Sequence, residues 1–288
     1  MASNNMRDIK RRIKSVNSME HITKAMKLVS AAKLRKAKST LEKTREYFHF
    51  VTESIEEIFN NANAVPVKYL EGNRVIKTTC YIIITSSRGL CGSFNSNIIK
   101  EAEREILADP EKPVIVAVGT KGRDFFKKRG YNIRGEYMLP PESISFIETH
   151  EISLPIIEMY NSGEIDEVVL IYTQLISALE QRVKNVTLLP FHITRDPEIP
   201  KIEKVVEYEP SVEDVFNYLV PKYVEIMIYV AIVESATCEH AARRIAMEAA
   251  TDNARDMISD LTLYYNRTRQ AAITNEISEI VGGAEALK

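Results

Sequence analysis

The stretch LRKAKSTLEKTREYFHFVTESIEEI, residues 34–58, decides the fold. Leu34, Leu41, Phe48 and Ile55 recur every seven residues, and Ala37, Thr44, Val51 and Ile58 recur every seven beside them. That is an a/d seam, the pattern that buries one helix along another. Outward from it, residues 1–65 contain neither proline nor glycine, and neither do residues 222–281. Glycine costs about 1 kcal/mol in a helix interior and proline removes a backbone donor, so both runs read as long helices. At 1.5 Å per residue each makes a rod of roughly 90 Å, longer than a compact domain is wide. The shape predicts a shaft or a lever.

Nearer the start, Ile9, Ile13, Val16, Met19, Ile22, Met26 and Val29 step by three or four residues. Their shorter mean spacing predicts a stripe that drifts around the helix toward a changed partner. The second run carries Leu219, Tyr223, Ile226, Val230 and Val233, then Thr237, His240, Arg244, Met247, Thr251, Ala254, Ile258, Leu261 and Tyr265. Its centre is too polar for a dry seam. Two such arms bury their stripes most economically on one another as an antiparallel coiled coil. Beyond Tyr265 the stripe Ile273, Ile277, Ile280, Ala284, Leu287 is expected to overhang its partner and seek an apolar surface on another protein.

Between the arms the pattern alternates. Residues 79–85, 113–119, 167–173 and 183–189 read as strands, and 96–108, 120–129 and 143–161 as helices. Alternation of this kind implies a mostly parallel sheet with right-handed crossovers. The expected fold class is α/β: an antiparallel coiled coil of N- and C-terminal helices with an inserted Rossmann-like domain. The expected parts are 1–65, 66–210 and 211–288.

The formal charge is −2, yet residues 1–45 hold thirteen Lys and Arg against three acids, so the remainder is acidic. A basic arm on an acidic body implies an anionic partner for the arm: nucleic acid, lipid headgroups or an acidic protein surface. Residues 1–46 contain no Phe, Tyr or Trp, which removes base stacking and weakens membrane insertion. An acidic protein surface fits best. No apolar stretch is read as reaching the roughly 20 residues needed to cross a bilayer, and no signal peptide is read at the N-terminus. Cys80, Cys91 and Cys238 form neither a disulfide framework nor a thiolate metal site by number or spacing.

Chemistry is sparse. Arg88-Gly89-Leu90-Cys91-Gly92-Ser93 and Gly119-Thr120-Lys121-Gly122 follow strands where a nucleotide would sit, but neither has the spacing of a phosphate cradle. They read as turn glycines. The five histidines lack metal spacing, no G-x-S-x-G elbow occurs, and no carboxylate pair stands out. No catalytic, cofactor-binding or metal-binding residue is therefore expected. Two other classes stay open at this point: a nucleic-acid-binding coiled coil, marked by steeply salt-dependent duplex binding, and an α/β enzyme with helical oligomerisation arms, marked by a small-molecule ligand in the insert.

Several segments together resemble one family. They are Arg11-Arg12-Ile13-Lys14-Ser15-Val16, His21 to Val29, Ala31-Ala32-Lys33-Leu34, Arg88-Gly89-Leu90-Cys91-Gly92, Glu239 to Arg243, Ala250 to Ala254, Leu261 to Arg267 and Arg269 to Thr274. In order and over the whole length they are similar to the gamma subunit of F-type ATP synthase. The resemblance implies a non-catalytic rotor shaft, coupling ion-driven rotation of the c ring to ATP synthesis or hydrolysis at alpha and beta subunit sites. It implies epsilon as a further partner, no cofactor, no nucleic acid, and proton transport by a complex at the cytoplasmic face of a bacterial membrane, with this chain peripheral. By motif, Met26, Lys33, Arg35, Arg269, Gln270 and Thr274 would meet the hexamer, and Glu207, Tyr208 and Glu209 the c ring. Ser86-Ser87 stands where an acidic residue is expected before Arg88-Gly89, and Ser93 where a glycine is expected.

Overall fold

The computed structural model describes residues 2–61, 69–70, 75–108, 113–138, 146–177, 180–191, 209 and 211–286, without side chains at 2–5, 45–47, 49, 52–61, 212, 285 and 286. In chain order the elements are α1 (Ala2–Asn61), β1 (Thr79–Ile84), α2 (Phe94–Ala108), β2 (Val114–Val118), α3 (Thr120–Lys128), β3 (Asn132–Tyr137), α4 (Phe146–Ser162), β4 (Glu167–Leu175), β5 (Gln181–Leu189) and α5 (Val212–Ala286). The chain divides into two compact units, residues 1–31 with 243–288, and residues 32–242.

The larger unit is built on one five-stranded sheet of order β3-β2-β1-β4-β5. β1 pairs in parallel with β2 and β4, β2 in parallel with β3, and β5 closes the edge antiparallel to β4. Strands covered on both faces read as unbroken apolar runs rather than alternating ones. The run at 79–84 is buried at every position for that reason. Cys80, Ile82 and Ile84 face the layer of α4 and α5, where Ile152, Ile156, Phe216, Val220, Val224 and Ile228 are buried. Tyr81 and Ile83 face the opposite layer, against Phe94, Ile98 and Ala102 of α2 and Phe126 of α3. Hence α5 is buried on nearly all sides over its segment 224–241, where all but Met227 and Tyr229 are buried.

That segment is also pinned by polar groups. The Thr173 N–H donates to Ser235 Oγ (3.1 Å), the Leu175 N–H to Glu234 Oε1 (3.2 Å), and Gln181 Nε2 to the Cys238 carbonyl (3.0 Å). The helix starts ten residues before the proline-free run and passes through Pro221. Losing a backbone bond there costs about 3 kcal/mol, which burial of Phe216, Val220 and Val224 on either side offsets. By length and composition α5 also holds an 18-residue window apolar enough to span a bilayer, contrary to the sequence expectation. Half of that window is buried inside the protein, as in a core helix.

β3 was not expected from the sequence. Its residues NIRGEY alternate exposed and half-buried at the sheet edge, so they lack the apolar run that marks the inner strands. On α1 within this unit, Ala37 and Leu41 are buried and Val51 packs against the core, the seven-residue series read at the outset.

Candidate partner interface

In the smaller unit α1 and α5 run antiparallel. Glu20 meets Arg255 (Oε1 to Nε, 2.9 Å), Thr23 meets Thr251 (Oγ1 to Oγ1, 2.8 Å), and Lys27 meets Glu248 (Nζ to Oε1, 2.7 Å). Paired positions therefore advance on one helix as they fall back on the other. The seam does not drift. Ile9, Thr23 and Ser30 are its buried α1 members, with Ile13, Val16, Glu20 and Lys27 half-buried between them. This series keeps the seven-residue period of residues 34–58. The expected stripe through Met19, Ile22 and Val29 is corrected accordingly: these side chains are 56%, 61% and 56% exposed. A strict period of seven holds one face toward a single partner helix, and here it does so through polar residues, which a search for apolar spacing passes over.

The outer face of α1 consequently presents Met19, Ile22, Leu28 and Val29 to solvent together with Arg12, Lys14 and Lys24. Met26 is half-buried beside the seam. On α5, Met247, Thr251 and Ala254 are buried, and Ile258, Leu261, Tyr265, Thr268 and Ala272 continue the seam half-buried. Past that point Arg269, Gln270 and Thr274 are exposed, as are Ile273, Ile277, Ile280 and Val281. Steps of three and four place Gln270, Ile273, Thr274, Ile277 and Ile280 on one side of the helix. The observed register sets Ala2 near residue 272, so the rest of α5 extends past the start of α1. The overhang anticipated from the sequence is present.

The candidate residues thus fall into separate places. Arg269, Gln270 and Thr274 cluster near the tip of α5, whereas Met26 lies across from the region of Glu248, about 30 Å along the helix axis at 1.5 Å per residue. Lys33 is half-buried and Arg35 exposed, both on α1 in the larger unit. Glu209 is exposed, and Glu207 and Tyr208 lie outside the described residues.

The two glycine loops are fastened to each other. The Lys121 N–H donates to the Ser86 carbonyl (3.2 Å), Thr120 Oγ1 to the Ser87 carbonyl (2.9 Å), and the Gly122 N–H to Thr85 Oγ1 (2.9 Å). Protein acceptors occupy these donors at the start of α3, where an anion would otherwise be held. Gly119 has φ +96°, and a Cβ on it would sit 2.1 Å from the Thr85 carbonyl oxygen. Ser86 serves as a loop tie in the place of the expected acid: its N–H donates to Asn95 Oδ1 (2.9 Å) and its hydroxyl to the Arg88 carbonyl (2.6 Å). All three cysteines are free and buried. Burial pushes the Cys80 thiol from 9.0 up to about 12. Among the described residues no group of three or more His, Cys, Asp or Glu is placed to hold a metal ion.

A family model described as ATP synthase matches residues 5–287. The ATP synthase gamma chain of Alkaliphilus metalliredigens is 49% identical over 98% of this chain and 99% of its own length. The ATP synthase gamma chain of Acetobacterium woodii, described as sodium ion specific, is 44% identical over the same shares. Among solved structures, a chain of the central stalk and c ring of the Tetrahymena thermophila mitochondrial ATP synthase aligns with TM-score 0.64 at 28% identity, covering 80% of this chain and 99% of its own. A chain from the Euglena gracilis mitochondrial enzyme aligns with TM-score 0.70 over 99% of this chain and 95% of its own; at 21% identity it speaks for the fold. With a whole-length match to relatives this similar, on an antiparallel coil joined to an α/β unit, the chain belongs to the ATP synthase gamma chain family.

Proposed function

We infer that the chain is the central rotor shaft of an F-type ATP synthase, transmitting rotation of a c ring to nucleotide sites formed by alpha and beta subunits. The observation that carries this reading is the outer face of α1, where Met19, Ile22 and Val29 stand exposed among lysines and arginines. An exposed apolar stripe rimmed by charge is the usual mark of a protein-binding surface. Its basic rim suits acidic loops of the surrounding subunits. Met26, Lys33 and Arg35 are proposed to meet the hexamer along the shaft, Arg269, Gln270 and Thr274 near its tip, and Glu207, Tyr208 and Glu209 the c ring at the foot.

A shaft shifts the state of a site only through contacts that differ between its states. Rotation therefore does work here because α1 and α5 present different chemistry to the subunit they face. The chemistry of ATP is left to the partners. In functional terms the parts are 1–65 and 211–288 as the coil and 66–210 as the foot, with epsilon bound at the foot. The complex is proposed to stand on the cytoplasmic face of a bacterial membrane, this chain being peripheral and held there by its partners, and to move protons.

Co-expression with the alpha and beta subunits of the same organism tests the reading. A stable complex in which one copy of this chain accompanies three of each partner is expected. Failure to assemble, with the chain recovered alone and folded, would overturn it.

A further inference from the structure

We propose that the four charges flanking the Thr23–Thr251 pair lock the register of the antiparallel coil by making both neighbouring registers repulsive. In the observed register Glu20 meets Arg255 and Lys27 meets Glu248. Between them the Thr251 hydroxyl lies 2.8 Å from that of Thr23, both side chains being buried.

An apolar seam of period seven cannot choose its own register. Sliding one helix by a heptad keeps the seam of α1 facing the seam of α5, as when Val16 leaves the level of Ile258 for that of Tyr265. The charges are what such a slide changes. Displaced by seven residues in one direction, Lys27 arrives opposite Arg255. Displaced by seven in the other, Glu20 arrives opposite Glu248. Each wrong register thus sets like charge against like charge beside the buried threonines and parts the Thr23 hydroxyl from that of Thr251. Single polar residues in a seam are known to specify alignment at a cost in stability. The arrangement here uses the order of signs, minus then plus on α1 against minus then plus on α5 along the chain.

The order of signs separates this role from that of two ordinary surface ion pairs. The exchange Lys27→Glu/Glu248→Lys keeps an ion pair in the observed register, yet makes both slipped registers attractive. Inverting all four charges (Glu20→Lys, Lys27→Glu, Glu248→Lys, Arg255→Glu) keeps the pairs and restores both repulsions. The test uses full-length chain refolded from urea and oxidised, with Val16→Cys combined with either Ile258→Cys, which reports the observed register, or Tyr265→Cys, which reports a one-heptad slip. The native cysteines are buried and do not compete.

The slipped cross-link is expected to rise at least threefold in the two-charge exchange and to return to the starting level in the four-charge inversion. Equal yields in all three backgrounds would overturn the proposal, as would a rise that persists in the inversion. Helicity by circular dichroism confirms that each background folds; if the exchange alone fails to fold, the excess of observed over slipped cross-link in the inversion, compared with the starting sequence, still decides, and a slipped majority there refutes the lock.

Discussion

Ile228 and Ile277 lie on the same helix, and truncating each to alanine should have opposite consequences. Ile228 is fully buried in the layer that α4 and α5 pack against the sheet, while Ile277 is 56% exposed. Ile228→Ala removes three carbons from a close-packed site, about 2.4 kcal/mol at roughly 0.8 kcal/mol per methylene. The cavity left behind adds about 1 kcal/mol, taking roughly 50 Å³ of unfilled space at about 24 cal/mol per Å³. A loss of about 3.5 kcal/mol follows. Ile277→Ala should change stability by no more than about 0.5 kcal/mol, as surface truncations do, but should weaken assembly with the alpha and beta subunits if the tip seats on them. Urea unfolding of the full-length chain followed by circular dichroism measures the first quantity, and co-purification the second. A loss below about 1 kcal/mol for Ile228→Ala would refute the account of α5 as a core helix at that position. Destabilisation by Ile277→Ala of the same size as by Ile228→Ala would refute the account of the tip as an exposed surface.

Three further outcomes follow from particular groups. The Cys80 thiol is raised from 9.0 to about 12 by burial, so the folded state keeps its proton where the unfolded chain loses it; stability is intact below pH 9 and falls as pH rises toward 12, by up to about 4 kcal/mol in all. Urea midpoints at rising pH should show that slope for the native sequence and lose it in Cys80→Val. Glu248 is held below the ordinary carboxylate value, first by its hydrogen bond from Lys27 and then by the charge of that lysine. The pair's contribution is present above the unfolded-state value and is lost as pH falls through the folded one, so acid unfolding of Lys27→Met should show a weaker dependence on pH in that window. Gly119→Ala meets the Thr85 carbonyl oxygen at 2.1 Å from a positive-φ backbone, and a loss of more than about 2 kcal/mol, read from the urea midpoint, is expected.

The sequence revealed whatever rested on apolar spacing or on glycine and proline. The two long helices, the inner strands β1, β2 and β4, and the helices between them all carry such a signal, and each was legible to within a few residues except the start of α5, which lies ten residues before the proline-free run. What escaped was carried by polar residues. β3 is an edge strand with Asn132, Arg134 and Glu136 exposed and the residues between them half-buried, so burial left no mark on it. The seam between Glu20 and Ser30 was misplaced because Met19, Ile22 and Val29 look like core residues by type, although they face outward. Continuing the strict seven-residue count from Leu34 and Ala37 back through Ser30, Lys27, Thr23 and Glu20 would have found it. The choice of Arg269, Gln270 and Thr274 as contact residues rests on resemblance alone, since nothing in their spacing sets them apart from any exposed helical face.

As a rotor shaft, this chain must turn within its hexamer. In a complex of alpha, beta and this chain, fixed by its hexamer to a surface, a probe attached to a cysteine introduced at the exposed Lys100 of the α/β unit should rotate in one direction in three steps per turn when ATP is supplied. ATP hydrolysis by the assembled complex with no rotation of the probe would contradict the account.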